Sequence, residues 1–396
     1  MAIATILLSL NDKLLKNTLQ SLLLTLVAAP LVYVFINELV RHNARIRGMK
    51  GPSGLPLIGN LWDIRDNAAE KYREWARKFG DVYQIQLGNV PVVVINSAAA
   101  AKAIIGQNAQ AMSSRPQFYT FHKACHALIL SDTAGTTIGT SPYSESLKRR
   151  RKGAASALNK PSVQTYVSHL DIESRDFIKE LYIYGKAGEI PIDPMPMAQR
   201  LSLSLALTLN WGIRLKSQND DLFHEITHVE EEISRFRSTT GNLQDYIPLL
   251  RLNPINLHSA RAREMRKRRD VYLSSLNNDL DERIASGTHS PCIQANVIMD
   301  AEAKLDKAEL TSISLTMLSG GLDTITTQVA WFLAFLSQHP DIQEKAVSEI
   351  RKFYDKSQPM CDPLDDSRCE YVVALVRESL RYFTRLEATY YLFMDE

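Results

Sequence analysis

The chain has 396 residues, of which 45% are hydrophobic, and its 46 basic side chains nearly balance its 44 acidic ones. A net charge of +2 gives no electrostatic basis for binding nucleic acid. The four cysteines, which lack any C-x-x-C spacing and so indicate neither a disulfide framework nor a zinc site, are Cys125, Cys292, Cys361 and Cys369.

The N-terminal region contains an almost wholly apolar run over residues 19–36. A helix of about 20 apolar residues is long enough to cross a hydrocarbon core of about 30 Å. We therefore predict a short N-terminal segment at 1–18 and a transmembrane signal anchor at 19–37. The alternatives are a cleaved signal peptide and a hydrophobic helix packed on the folded body. A signal peptide fits less well, because Asn37, Glu38 and basic residues follow the run instead of a small-residue cleavage site.

The stretch after the anchor is basic and rich in turn residues. Arg41, Arg45, Arg47 and Lys50 crowd this side of the apolar run, and the positive-inside bias then places the downstream domain in the cytosol. Two prolines and three glycines in residues 51–60 favour a turn-rich connector. These features predict a basic and proline-rich linker at 38–60, followed by a globular body at 61–396.

The body begins with a helix and a hairpin. Residues 68–79 carry large apolar side chains on one helical face, and Gly80 follows as a helix end. Residues 82–87 and 90–95 alternate with period two around Gly88-Asn89, which predicts a β-hairpin. Ser97 is a candidate N-cap of a helix through residue 105. From about residue 162 the patterns are mostly helical, so the fold class is mainly α with a small β-sheet (α+β).

A long helical pattern over residues 305–336 is interrupted by Gly320-Gly321-Leu322-Asp323-Thr324. Glycine costs about 1 kcal/mol in a helix interior, and a buried carboxylate is costly unless it is paired. One reading is a kinked helix with a solvent-facing Asp323. The other is an acid–alcohol pair that relays protons into a dry pocket. We expect a local helix break that faces an interior cavity.

Three further signals are weak when each is taken alone. His339-Pro340 predicts a helix start, because proline suits the first helical position. Glu378 and Arg381 stand three residues apart and so share a helix face, but such pairs are common on exposed surfaces. The basic cluster at 148–152 opens a predicted helix; it is either a solvated face or includes an arginine that turns inward onto an anionic ligand group.

The order and wording of these parts resemble cytochrome P-450. The closest wording is in residues 336–345, "LSQHPDIQEK", and in residues 375–382, "LVRESLRY". The resemblance extends from the anchor to about Phe383 and is nearest to the microsomal fungal branch that includes aromatic-acid hydroxylases of the phenylacetate type. It implies a heme b monooxygenase in the endoplasmic reticulum membrane that is reduced by an NADPH-cytochrome reductase and hydroxylates a small organic substrate.

The resemblance also implies roles for particular residues. Gly320 and Gly321 would let the distal helix open for dioxygen over the heme. Asp323 and Thr324 would deliver protons to the bound oxygen. The family usually has Thr or Ser at the next position, where this chain has Ile325. Arg151 would bind a heme propionate, although Leu147 replaces the tryptophan that often stands four residues earlier. Glu378 and Arg381 would form a buried ion pair completed by a later arginine, and we expect part of its hydrogen-bonding capacity to be unmet here.

The chain departs from the family in its cysteines. The pattern F-x-x-G-x-R-x-C-x-G that carries the axial thiolate is not in the sequence, and Cys361 and Cys369 both precede Glu378. We therefore expect no metal ligand, a chain truncated before the heme-ligating cysteine, and no oxygenation. The alternative function is a non-catalytic, membrane-anchored remnant or interaction protein without heme.

Overall fold

The computed structural model describes residues 2–116, 119, 137–237, 243–252, 257–300, 304–355, 357, 362, 364, 365 and 367–383. Its strands are β1 (Val82–Leu87) and β2 (Val90–Ile95), and its α-helices are α1 (Ala2–Ala44), α2 (Ala68–Phe79), α3 (Ala98–Ala101), α4 (Glu145–Ala157), α5 (Lys160–Thr165), α6 (Val167–Tyr184), α7 (Met195–Trp211), α8 (Asp221–Arg237), α9 (Leu257–Ala285), α10 (Ile293–Met299), α11 (Lys307–Ser337), α12 (Pro340–Ile350) and α13 (Glu370–Phe383). The predicted fold class, mainly α with a small β-sheet, is confirmed.

Internal contacts group the chain into two units. The first comprises Met1–Met112 and Asn242–Ile255, and the second comprises Ser113–Gly241 and Asn256–Asp395. The division predicted from sequence, with limits at residues 18, 37 and 60, stays a prediction.

In the first unit, α1 continues as one helix through the predicted anchor and beyond it. Its segment Leu24–Ala44 has a mean hydropathy of 1.5 and is mostly exposed, so it is long and apolar enough to cross a membrane. The end of α1 packs on the hairpin, where Asn37 Oδ1 accepts a hydrogen bond of 2.7 Å from Asn89 Nδ2. The apolar part of the helix therefore projects from a polar attachment point.

The helix and hairpin predicted at the start of the body are confirmed. Asn67 caps α2 by accepting a hydrogen bond of 3.0 Å from the Glu70 amide. β1 and β2 pair antiparallel from Val82 opposite Ile95 to Leu87 opposite Val90. Gly88 turns the chain with φ +54°, and a Cβ there would lie 2.1 Å from the Tyr246 carbonyl oxygen. Only glycine fits this turn, because a side chain would be strained and would also clash with backbone.

The helix predicted after Ser97 begins as expected but does not continue as an α-helix. Ser97 Oγ accepts a hydrogen bond of 3.2 Å from the Ala100 amide, which caps α3. The chain then follows a π-helical turn over Lys102–Gly106. In the second unit, α12 starts at Pro340 as predicted and ends at Ile350.

The second unit is built around α7, most of whose residues are buried. The side chains of α7 pack against α6 on one side and α11 on the other. Trp211, at the end of α7, is fully buried and donates a hydrogen bond of 2.8 Å from Nε1 to Asn277 of α9. Burial on every side explains why α7 is apolar over most of its surface and lacks a clear amphipathic period.

A buried charge cluster connects α6 to α7 and to the segment after it. The Glu173 carboxylate of α6 is 0% exposed. It accepts hydrogen bonds of 2.6 Å from Arg200 Nη1, 2.6 Å from Arg214 Nε and 2.8 Å from Ser204 Oγ. Arg200, itself buried, also donates to Glu180 at 2.7 Å. Each charge in the cluster is paired, which is the condition under which burial of a charge is tolerated.

We predict that Glu173→Gln lowers the free energy of unfolding by about 3–5 kcal/mol, because it removes the buried charge that pairs with the buried Arg200 guanidinium. Thermal or chemical unfolding of the detergent-solubilised chain measures this. Asp171→Asn, also on α6 but in a partly exposed pair with Arg175, is the matched control and should change stability little. Equal effects of the two substitutions would contradict the assigned role of Glu173.

Candidate functional site

The helix α11 carries the predicted glycine, acid and alcohol motif. It begins with a capping box, in which Asp306 Oδ1 accepts from the Glu309 amide at 2.8 Å and Glu309 Oε2 accepts from the Asp306 amide at 3.1 Å. It then runs for 31 residues without interruption. The predicted break at 320–324 is therefore wrong. The Thr324 hydroxyl donates to the Gly320 carbonyl at 2.8 Å, a bond within one helical turn that is compatible with regular helix.

The two faces of α11 at the motif differ sharply. Leu322 and Thr326 are buried towards α7, where Thr326 Oγ1 lies 3.0 Å from Ser202 Oγ. Gly320, Asp323 and Thr324 are exposed. The expected interior cavity at the motif is thus wrong for the part of the chain that the structure describes. The roles of Asp323 and Thr324 in proton delivery stay a prediction.

The two adjacent glycines, Gly320 and Gly321, differ in the space that a side chain would have at each position. A Cβ built on Gly321 would lie 3.2 Å from the Ala206 Cβ of α7, which is closer than ordinary van der Waals contact. A Cβ built on Gly320 meets nothing within 4 Å among the described residues. Gly321 is therefore required for the close approach of α11 to α7, and packing does not require Gly320.

We predict opposite effects when the two glycines are replaced. Gly320→Ala should raise the free energy of unfolding by up to about 1 kcal/mol, because alanine has the higher helix propensity and space is open. Gly321→Val should lower it by about 1–3 kcal/mol, because a larger side chain forces α11 away from α7. Thermal unfolding of the two variants tests this, and the same sign for both would contradict the packing assignment.

The basic cluster opens α4, whose N-cap is Ser144. Arg150 turns inward and is fully buried. Its Nη1 donates to Ser141 Oγ at 2.9 Å and to Ser312 Oγ of α11 at 2.6 Å. Burial lowers the pKa of the Arg150 guanidinium, and the charge of nearby Glu309 opposes this effect. An inward-turning arginine was predicted, and among the described residues Arg150 donates to the Ser141 and Ser312 hydroxyl groups and to the Ser146 carbonyl.

Arg151 is exposed. Its role in binding a heme propionate stays a prediction. The sequence interpretation did not single out Arg150, although a signal for it exists. Leu147, Arg150, Ala154 and Ala157 recur at the helical spacing of one face, and all four are buried. A charged residue in register with an apolar face is therefore the sign of the buried arginine.

Glu309 joins α4 to the start of α11. Its side chain is buried and its Oε1 accepts from Arg149 Nη2 at 2.5 Å. Burial opposes ionisation of Glu309, but its hydrogen bonds, including those from Arg149 and from the Asp306 amide, outweigh burial and hold its pKa below the ordinary value of 4.5.

We predict a pH-dependent contribution from this carboxyl. Because its folded-state pKa is lowered, Glu309 stabilises the fold above its unfolded-state value of 4.5, and this stabilisation is lost as the pH falls through the lower folded-state pKa. The melting temperature of Glu309→Gln should lie below that of the unmodified chain at neutral pH, and the difference should shrink in acid. Glu145→Gln, in the exposed pair with Lys148, is the control. A difference independent of pH would contradict the prediction.

The Glu378 and Arg381 pair forms on α13 as predicted, with Arg381 Nε 2.7 Å from Glu378 Oε2. Both side chains are exposed, so the expected burial of the pair is wrong. The Arg381 hydrogen bonds lower the pKa of Glu378, and the same contacts raise the pKa of Arg381. Both carboxylate oxygens of Glu378 accept from Arg381, through its Nε and Nη2, and the expectation of unmet hydrogen bonding at the guanidinium stays a prediction. Ser379 is instead the buried residue of this helix and accepts from Gln328 of α11.

The residues fit a heme only in part. The exposed Arg151 has a side chain that could bind an anionic group such as a propionate. Cys292, however, lies in the core at the start of α10, where burial raises the pKa of its thiol, and Cys369 precedes α13. Both precede Glu378, whereas the resemblance places the axial thiolate after it, and Cys125 and Cys361 lie outside the described residues. Among the described residues, neither cysteine therefore stands where the family places its axial ligand.

Comparisons with known proteins define the class of this protein. A family model described as Cytochrome P-450 matches residues 49–389. The 3-hydroxyphenylacetate 6-hydroxylase of Emericella nidulans is 66% identical over 386 residues, which cover 98% of this chain and 74% of that protein. The phenylacetate 2-hydroxylase of the same organism is 42% identical over 363 residues, which cover 91% of this chain and 69% of that protein.

The chain therefore belongs to the cytochrome P-450 family of heme-dependent monooxygenases. This confirms the resemblance inferred from residues 336–345 and 375–382, including its fungal hydroxylase branch. Heme is the cofactor of the family, and relatives of this family work with a reductase on small molecules.

Proposed function

We propose that the chain is part of the machinery of an aromatic-acid hydroxylase, which inserts one oxygen atom into the ring of an arylacetate. The observation that carries this proposal is the 66% identity, over 98% of the chain, with a protein named 3-hydroxyphenylacetate 6-hydroxylase. In this proposal the chain is a single-pass protein of the endoplasmic reticulum membrane, anchored by the apolar part of α1. Its catalytic domain lies in the cytosol, and an NADPH-cytochrome reductase is its electron donor.

In this proposal, side chains on the exposed face of α11 transfer protons. Heme, when bound, supplies the activation of dioxygen. The Thr324 hydroxyl donates its hydrogen to the Gly320 carbonyl. The Thr324 oxygen can therefore still accept a hydrogen bond from a proton donor. The Asp323 carboxylate stands one residue earlier on the same exposed stretch. An acid beside an alcohol suits the transfer of protons from solvent to a reacting oxygen.

A protein of only these 396 residues is expected not to hydroxylate. Of the described cysteines, Cys292 is a buried thiol with a raised pKa and Cys369 precedes Glu378. In this family a thiolate is what holds the iron and promotes oxygen–oxygen cleavage. The competing function is a membrane-anchored protein without heme. Heme is added to the 396-residue protein, which is then reduced under carbon monoxide, and its absorption spectrum is recorded. A thiolate-type Soret band would contradict both the expected inactivity and the competing function without heme.

The substrate proposal is tested by supplying the axial ligand. We would join to the chain a downstream segment of a family member that carries the F-x-x-G-x-R-x-C-x-G pattern, and assay the product with reductase and NADPH. Hydroxylation of 3-hydroxyphenylacetate or phenylacetate is expected. A protein that binds heme through thiolate and turns over neither acid would refute the proposed substrate class.

We predict that Thr324→Val in this extended protein lowers the rate of product formation by about 10²-fold or more, because general acid–base groups contribute at least that much. Thr327→Val is the matched control, since Thr327 is an exposed threonine three residues further along α11. The rate of ring hydroxylation, measured at saturating substrate, provides the comparison. An unchanged rate in Thr324→Val would remove Thr324 from the proposed proton path.

A further inference from the structure

Two glutamines of β1 differ in a way that points to a ligand. Gln84 and Gln86 stand two residues apart, so they lie on the same face of the strand, and each is 3% exposed. Gln84 is fully used: its Nε2 donates to the Ile46 carbonyl at 2.8 Å and the Met49 carbonyl at 2.6 Å, and its Oε1 accepts from the Ile46 amide at 2.9 Å. It fastens the segment after α1 to the hairpin.

The side chain of Gln86 has no such use. Within the described part of the chain, neither its Nε2 nor its Oε1 has a hydrogen-bond partner. A buried amide left unpaired costs about 1–3 kcal/mol. An apolar side chain at this position would therefore make the fold more stable. The buried amide is explained only if a ligand binds to it.

Gln86 lines a cleft of about 320 Å³ beside the end of α1, and Arg41 lines it as well. Arg41 is 5% exposed. Its Nη1 donates to Glu38 Oε1 at 2.5 Å and to the Leu55 carbonyl at 3.2 Å, while its Nε has no partner among the described residues. The cleft is thus lined by a guanidinium and an amide that each hold an unpaired donor, which suits an anion with several acceptor oxygens.

The other wall of the cleft is apolar and basic. Phe35 and Leu39 of α1 line it and are both exposed. His42 and Arg45 line it one turn further along. The ligand that matches these walls has an anionic head next to an apolar tail.

The carboxylate of Glu38, which also lines the cleft, does not counter this match. Glu38 Oε1 accepts from Arg41 and also from the Leu57 amide at 2.9 Å. Its charge is therefore paired within the wall, and Arg45 adds a further positive charge.

The position of the cleft selects the source of the anion. It lies where the apolar segment of α1 ends and the basic stretch begins, which is the depth of lipid headgroups if α1 is the anchor proposed above. We infer that this cleft binds an anionic phospholipid, with its phosphate group at Arg41 and Gln86 and its acyl chains along Phe35 and Leu39. The inference rests on the proposed anchoring for the location of the lipid, and on the unpaired groups for its chemistry.

The test uses the full chain in neutral detergent and follows its thermal unfolding with added lipid. Phosphatidic acid should raise the melting temperature, because a ligand that binds only the folded state stabilises it. Phosphatidylcholine with the same acyl chains should raise it less, and glycerol phosphate without acyl chains should not reproduce the shift. An equal shift with phosphatidylcholine would refute an anionic site, and a full shift with glycerol phosphate would refute a lipid site.

Two matched variants separate binding from folding. Gln86→Leu removes the unpaired amide; it should leave the lipid-free protein as stable as before or more stable, and it should abolish the shift with phosphatidic acid. Gln84→Leu breaks three structural hydrogen bonds; it should lower the melting temperature in every condition and keep the shift. Retention of the full shift in Gln86→Leu would overturn the inference.

Carbonate extraction of membranes containing the chain tests the anchoring separately. Release into the soluble fraction would refute the anchor but leaves the detergent measurement of the cleft standing. Retention in the membrane together with no response to phosphatidic acid would refute the lipid site alone.

Discussion

Glu173 determines where α7 lies, and most of the second unit depends on α7. Its buried carboxylate can be accommodated only where Arg200 and Arg214 both reach it, and this fixes the rotation of α7 against α6. With that rotation set, the apolar side chains of α7 form one wall of the main core, and α11 packs on the other side of it. A polar constraint thus specifies an arrangement that apolar packing then stabilises.

The orientation of α11 follows from the same arrangement. Gly321 allows α11 to approach Ala206 closely, and Leu322 and Thr326 are then directed towards α7. Because successive residues of a helix are about 100° apart, Asp323 and Thr324 are turned to the opposite face. The acid–alcohol pair on which the proposed chemistry depends is therefore presented outwards by a packing contact on the other side of its helix.

In the first unit, buried polar groups distinguish a structural role from a binding role. Gln84 satisfies its amide within the chain and so attaches the segment after α1 to β1. Gln86, on the same face, has an unpaired amide and lines a cleft together with Arg41, whose Nε is also unpaired among the described residues. Their sequence context is the same alternating strand, and only the position of the chain opposite each of them separates the two roles.

The sequence by itself determined the elements whose cause is local. Period-two alternation around Gly88-Asn89 specified the hairpin to the residue, and His339-Pro340 specified the start of α12. The order of the parts, with the wording of residues 336–345 and 375–382, indicated the family. Only the tertiary structure decided that Arg150 and not Arg151 is buried, that Gly321 and not Gly320 is a packing contact, and that Glu378 and Arg381 are exposed. The physical reason is that these outcomes depend on which face a neighbouring helix covers, and that face is set by contacts between segments far apart in the chain.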